Sequence, residues 1–373
     1  MSNRFEVDRE PAAEHGTAKA PAQLDTGVTP RRKARTRRAL MVCLLVMILL
    51  VPGSVGAYFF SLANIYDSQT TKIEDAFPAE ARRVQAPPTP AGKPAPMNIL
   101  VLGSDSRDKA EGSASAKAAA GSASNQRADT LMLLHIPSDR EHIYSVSLMR
   151  DLWVDIPDRG QAKINAALAF GGVPLMVQTV ESLLQQRIDH VVSLDFAGFK
   201  GLTDALGGVE VDIKVPFTTV RGGKTYDFRP GLNTLNGAQG LAFVRERYAF
   251  PDGDYQRVRN QQTYLRAVLA KTFDGGTLGN PITLAKVLSA VSPYLSVAPK
   301  LDSTEVGRLA FSLRDIRSRD TVFFTLPTAG VGRSADGQSI VLPDTGAIEE
   351  LKAAFTADKL ADFVAAKNLG KGN

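Results

Sequence analysis

Arg245 and Arg247 stand two residues apart in Leu241-Ala-Phe-Val-Arg-Glu-Arg-Tyr248. In extended chain their side chains point the same way, with Glu246 opposite. Asp252-Gly-Asp-Tyr255 follows and offers Asp254 as the N-cap of a helix over 255–271. Arg257 and Gln261, four apart, then share one helical face, with Tyr264 a turn further on. Val258, Leu265, Val268 and Leu269 form the neighbouring, core-facing stripe. Guanidinium forks match phosphate oxygens in pairs, and a helix N-terminus favours anions. The competing reading is a solvated, salt-bridged helix start.

A second group lies where strands end. Asn98 to Leu102 is an apolar run of strand length, with Asp105 and Arg107 just past it. Arg127 and Asp129 open a strand over 130–136, and Arg150-Asp151 close one over 143–148. If the three strands meander, Asp105, Arg127, Asp129 and Arg150 meet at one rim, where ligand sites gather. Neighbouring carboxylates repel unless a cation lies between them. Mg²⁺ needs only one or two carboxylates, with water and substrate phosphates completing its shell. The alternative is that Asp105 and Asp129 simply cap turns. Together the two groups suit a metal-bound pyrophosphate.

The elements that must position these groups alternate. Helices are expected over 174–186, 196–206, 255–271, 281–292, 303–315 and 345–367. Further strands are expected over 189–194, 209–215, 321–326 and 338–342. This predicts an α/β fold: a single domain with a central mixed β-sheet flanked by helices, preceded by one transmembrane helix. The folded domain is expected over 97–373, with its core motifs in 97–271. Residues 64–96 are expected to hold a short juxtamembrane helix over 64–80 and a proline-rich linker. The Ser-, Ala- and Gly-rich segment 108–126 reads as a flexible loop.

The formal net charge of the 373 residues is +5. Arg31, Arg32, Lys33, Arg35, Arg37 and Arg38 contribute +6 in one run, which leaves −1 for everything else. The basicity is therefore local and argues against a nucleic-acid surface. Ala39 to Ala63 carries no charge and is long enough to span a bilayer, with Pro52-Gly53 as a place for a bend. Basic residues stay cytoplasmic, so 1–38 is expected as a disordered cytoplasmic tail and the domain as extracytoplasmic. This predicts a single-pass cell-membrane protein. A cleaved signal peptide ending near Val55-Gly56-Ala57 is the rival, opposed by the long basic region and long apolar run. The one cysteine, Cys43, lies in the apolar run, so the outer domain has no disulfide, thiol nucleophile or cysteine metal site. His15, His135, His142 and His190 are scattered, which argues against zinc or a histidine base. Gly222-Gly-Lys-Thr225 lacks the first glycine of a phosphate loop, Thr218 standing there, and reads as a hairpin turn.

Seven ordered motifs resemble the LytR-CpsA-Psr proteins: Asn98 to Arg107, Arg127 to Thr130, Ser147 to Asp151, Lys163 to Gly172, Leu206 to Asp212, Leu235 to Gly240, and Val244 to Tyr248 with Asp254 to Gln262. The resemblance runs from about Met97 to Lys271, and the basic run and membrane helix also fit it. It implies a phosphotransferase that moves a glycopolymer from a polyprenyl-pyrophosphate carrier onto peptidoglycan as a phosphodiester. Membrane lipid is the surrounding partner. By position, Asp105 and Asp129 would bind Mg²⁺ (or Mn²⁺). Arg127, Arg150, Lys163, Arg245, Arg247, Arg257 and Gln261 would hold the pyrophosphate. Arg150, Arg127 and Asp254 would serve catalysis, Asp254 by activating the acceptor or orienting the arginines. Two departures stand out: Met149 replaces the family's usual Pro, and 108–126 is longer than usual. Three other functions compete: a hydrolase that releases the carrier phosphate, a membrane-bound transcriptional attenuator, and a non-catalytic lipid-binding scaffold.

Overall fold

The computed structural model describes residues 31–86, 89, 92–104, 128–274, 276–277 and 280–369. The expected tail 1–30, the loop 108–126, Asp105, Arg107 and Arg127 lie outside the described residues. The chain divides into two units, Met1–Ala57 and Tyr58–Asn373. In the first, the described residues form one helix, α1, which spans Arg31–Gln69 and runs on past Ala57. Pro52 lies inside α1 without ending it. Leu40, Leu45 and Leu50 of this unit are exposed. From Arg37 onward α1 is long and apolar enough to cross a membrane.

The second unit is mixed α/β, as the alternation of apolar runs predicts. After α1 come β1 (Thr71–Lys72), β2 (Met97–Ser104), β3 (Ala128–Ile136) and β4 (Ile143–Leu148). A small hairpin of β5 (Trp153–Ile156) and β6 (Gly160–Lys163) leads into α2 (Ala166–Leu184). Next are β7 (His190–Asp195), α3 (Phe196–Ala205), β8 (Val209–Ile213), β9 (Phe217–Arg221), β10 (Lys224–Phe228) and β11 (Gly231–Leu235). The chain continues through α4 (Gly237–Arg245), α5 (Asp254–Leu269), α6 (Pro281–Val291), β12 (Leu295–Val297) and α7 (Ser303–Ser312). It ends with β13 (Thr321–Thr325), β14 (Thr328–Arg333), β15 (Ser339–Pro343), α8 (Thr345–Thr356) and α9 (Leu360–Ala366).

Seven strands make the central sheet, in the order β1-β12-β7-β2-β3-β4-β13. The expected meander is there: β2 pairs antiparallel with β3, and β3 with β4. Parallel pairs β2–β7 and β4–β13 flank it and make the sheet mixed. Leu100, Leu133, Val146 and Val191, on four adjacent strands, are fully buried, as continuous apolar strands covered on both faces require. Helix α2 is apolar enough to span a bilayer by composition, yet Met176, Val177, Val180 and Leu184 are buried in the sheet's main core. It is a core helix. A smaller core gathers Phe217, Phe228, Phe243 and Tyr264 around β8 to β11, α4 and α5.

Several expectations need correction. The helix expected over 174–186 starts eight residues earlier, at Ala166, and kinks at Gly171 and Gly172. Gly172 has φ 66°, a left-handed conformation that lets the helix resume before Pro174. The helix expected over 345–367 breaks in two at Asp358, which has φ 53°. No separate helix fills 64–80: α1 ends at Gln69, β1 enters the sheet, and Glu80–Arg82 is one 3₁₀ turn. Gly222 and Gly223, both at positive φ, make the β9–β10 hairpin turn that the sequence predicts.

The stretch before Met97 is bound to the domain by a buried ion pair. Arg83 donates twice to Glu181 Oε1, at 3.1 Å from Nε and 2.5 Å from Nη2. The same oxygen accepts the amide of Ile188 at 2.9 Å. Glu181 is 1% exposed, so its charge is fully committed to these partners.

Candidate functional site

The meander delivers its charges to one rim. Asp129 stands near the start of β3, beside the register shift where Gly103 and Ser104 pair with Thr130 and Ala128. Arg150 follows β4 directly. Met149, where the family's proline is usual, is buried, and its carbonyl still accepts the Leu152 amide at 2.9 Å. The turn therefore survives the exchange and aims Arg150 along the rim. Arg150 Nη1 donates to Asp129 Oδ1 at 2.7 Å and Nε to Asp254 Oδ2 at 3.0 Å. Its Nε also lies 3.5 Å from Asp151, and Lys163, the last residue of β6, pairs with Asp151 at 3.2 Å.

Asp254 is the hub. It is the first residue of α5 rather than its N-cap, because Gly253 at φ 54° takes the cap position. Its carboxylate, relieved of capping, accepts Arg257 Nη2 at 3.0 Å and lies 3.5 Å from Arg247 Nη1. Burial would raise its pKa, but Arg257 and Arg150 outweigh burial and hold it below the ordinary aspartate range. A carboxylate so placed stays ionised at neutral pH and is a weak base. Arg150 is pushed the other way: burial would lower its pKa, and Asp254, Asp151 and Asp129 raise it.

Arg257 is 5% exposed, and among the described residues its Nε has no hydrogen-bond partner. Burial draws its pKa down, with Asp254 opposing. The stripe expected to face a ligand is in fact buried. Gln261 donates to the Val244 carbonyl at 3.3 Å, and Tyr264 is fully buried with its hydroxyl on Thr203. Gln261 therefore supports the end of α4. Two further contacts fix α5: Gln262 donates to Ser147 and to Thr325, each at 3.1 Å.

Arg245 and Arg247 are not in one extended run. Arg245 ends α4, and the chain turns extended only at Glu246. Arg245 lies over the Phe196 ring at 4.2 Å. Phe196 follows Asp195, whose register partner is Ser104 of β2, so Arg245 also reaches the rim of the sheet. Arg247 faces Asp254, and the Tyr248 ring packs on its guanidinium at 4.5 Å.

Two participants escaped the sequence reading, Asp151 and Glu246. Glu246 is 3% exposed and receives five donors. Oε1 accepts the amides of Arg247, Tyr248 and Ala249 at 3.0, 2.7 and 3.1 Å. Oε2 accepts Thr219 Oγ1 and, at 3.1 Å, Arg221 Nη2. Burial would raise its pKa, but Thr219 and the three amides hold it below the usual glutamate value. The one available signal was a lone acid between two arginines.

Five cations (Arg150, Lys163, Arg245, Arg247, Arg257) thus share a rim with three carboxylates (Asp129, Asp151, Asp254). Among the described residues the surplus charge is positive, and one buried guanidinium nitrogen, Arg257 Nε, has no hydrogen-bond partner. Guanidinium groups so gathered suit an anion with several oxygens. Among the described residues no cluster of three metal-ligating side chains occurs. Asp129 Oδ2, however, accepts nothing from the described residues, so one carboxylate oxygen is open to a hard cation.

The profile of the LytR_cpsA_psr family matches residues 60–357. The chain is 31% identical to a polyisoprenyl-teichoic acid–peptidoglycan teichoic acid transferase, TagU, of Enterococcus faecalis, over 73% of this chain and 80% of that protein. It is 30% identical to the cell wall biosynthesis protein LcpA of Corynebacterium glutamicum, over 67% of this chain, and spans about half of that relative's length (54%). The solved structure of a LytR-Csp2A-Psr enzyme from Actinomyces oris has the same fold, with TM-score 0.58 at 23% identity over 76% of this chain and 94% of that one. The match reaches from the end of α1 to the end of α8 and includes every described charged residue of the rim; the chain belongs to the LytR_cpsA_psr family.

Proposed function

We propose that this chain is a transferase that moves a glycopolymer from a polyprenyl-pyrophosphate carrier onto peptidoglycan. The relatives named as teichoic acid transferases support the reaction class. The observation that carries the reading is the surplus of guanidinium groups around Asp254, with Arg257 buried and one of its nitrogens unpartnered among the described residues.

The acceptor hydroxyl of peptidoglycan attacks the phosphorus that bears the sugar. A new phosphorus–oxygen bond forms as the bond to the bridging oxygen breaks, the carrier leaves as its monophosphate, and the hydroxyl proton passes to that departing phosphate or to water. Such transfers need positioning and charge neutralisation more than covalent help. Arg150, Arg247 and Arg257 would neutralise the two phosphates, with Lys163 and Arg245 at the margin, and Arg127 would join them by its place in the family motif. Gln261 would act on them only through Val244 and the end of α4. Asp254 would orient the three arginines, since a carboxylate ringed by them is a poor base. Asp129, with Asp105, would hold Mg²⁺ or Mn²⁺, which when bound supplies a Lewis acid to the phosphate oxygens. Helix α1 would anchor the chain in the cell membrane, residues 1–38 in the cytoplasm and the domain outside.

The test is the purified full chain in nanodiscs with a polyprenyl-pyrophosphate-linked saccharide, peptidoglycan oligomers and Mg²⁺, followed by mass spectrometry. Saccharide-phosphate should appear on the glycan, with a loss of about 10²-fold or more in Arg150→Ala. Free saccharide-phosphate alone would assign a hydrolase. Turnover that survives Arg150→Ala unchanged would refute the site.

A further inference from the structure

Helix α6 presents a physical anomaly: eleven residues, Pro-Ile-Thr-Leu-Ala-Lys-Val-Leu-Ser-Ala-Val, and not one is buried. One face does have a neighbour. The carbonyl of Ala290 lies 2.9 Å from where Gly201 of α3 would carry a Cβ, so the two backbones approach closely there. The adjoining stripe, Ile282, Ala285, Lys286 and Ser289, follows helical spacing and, with Tyr58, Pro281 and Ala290 at its edge, lines a groove of about 860 Å³. Ile282 at its head is 70% exposed.

The position of Tyr58 sets the level of this groove. Its hydroxyl donates to the Pro281 carbonyl at 2.9 Å and so ties the start of α6 to α1. Tyr58 precedes Ala63, the last residue of the uncharged run, by five residues, about 7.5 Å along a helix. Phe60, in the same turn as Tyr58, is 75% exposed. The start of α6 is therefore held beside a part of α1 that is still apolar and aromatic, the composition of a membrane–water boundary.

We infer that α6 seats on the bilayer that α1 crosses, with Ile282 in the apolar boundary and Lys286 reaching lipid phosphates. The inference rests on α1 as a membrane helix and is independent of the reaction. An apolar stripe with one lysine a turn in suits this place, because the lysine stem packs in the boundary while the ammonium reaches the headgroups. The domain then meets the bilayer through a second contact, α6, besides the anchor.

The experiment uses the full chain in phosphatidylglycerol-containing nanodiscs, one chain per disc. One sample carries bimane on the native Cys43; the other carries it on Ile282→Cys in a Cys43→Ser background. Each is quenched by doxyl-labelled lipid and, separately, by aqueous iodide. The expected result is that both labels are quenched several-fold more strongly by the lipid. Iodide quenching at position 282 alone overturns the seating and leaves the anchor standing. Protection at 282 from both quenchers also overturns it, since protein then covers the stripe. A Cys43 label that lipid does not quench removes the anchor and the inference with it.

Discussion

Replacing Glu246 tests whether the arginine loop is held by one buried carboxylate. In Glu246→Ala, the amides of Arg247, Tyr248 and Ala249, the Thr219 hydroxyl and Arg221 Nη2 all lose their acceptor. The amides can turn to water only if the loop opens, and Arg221 is itself part-exposed, so its share is small. A loss of about 3–5 kcal/mol follows for removal of such a buried charged acceptor. Glu246→Gln keeps one oxygen for the three amides but turns an NH₂ toward Arg221, and should lose about 2 kcal/mol. At a melting entropy of roughly 2 cal/mol/K per residue over a domain of about 300 residues, these become falls in Tm of about 5–8 °C and about 3 °C. Scanning calorimetry of the full chain in detergent measures both. The pH dependence carries a sign. The folded pKa lies below the ordinary value of 4.5, so the stabilisation is complete above that value and is lost as pH falls through the folded pKa. Glu246→Gln should lose less stability than the parent between pH 5 and the acid limit. Variants that melt within about 1 °C of the parent would refute the claim that Glu246 holds the loop.

Asp254→Asn should lower turnover about 10²-fold by releasing Arg150, Arg247 and Arg257 from a common anchor. It removes a negative charge from the rim, so inorganic pyrophosphate should bind at least as tightly by calorimetry; weaker binding would contradict the anion-site reading. Arg83→Ala should destabilise the domain by about 3–5 kcal/mol in urea unfolding, because Glu181 is left buried with its charge unpaired. A change below about 1 kcal/mol there would mean that residues before Met97 are only a tether.

Much of the architecture was legible because local patterns carry it. Apolar runs of strand length named β2, β3, β4 and β7, and helical spacing named α3, α5 and α6. The charge run and the uncharged stretch behind it marked α1, since a bilayer reads composition and length. The meander even placed Asp129 and Arg150 together, because antiparallel neighbours return their ends to the same rim. Strands of three to six residues with polar outer faces, such as β9 to β11 and β14, left too weak a pattern to find.

Tertiary structure decided what spacing cannot. Arg257, Gln261 and Tyr264 look like an outward face on an isolated helix, but α4 and α3 pack on α5, with Val244 against Gln261 and Thr203 and Phe199 against Tyr264, and the stripe is buried. Asp254 reads as a cap until Gly253 takes the cap position and frees the carboxylate for three arginines. Glu246 looks incidental between two arginines, and only the fold brings Thr219 and Arg221 from β9 to its far oxygen. The physical reason is common to all three. Sequence periodicity reports which residues share a face of one element. What that face meets depends on elements distant in the chain, and so does which buried charges find partners.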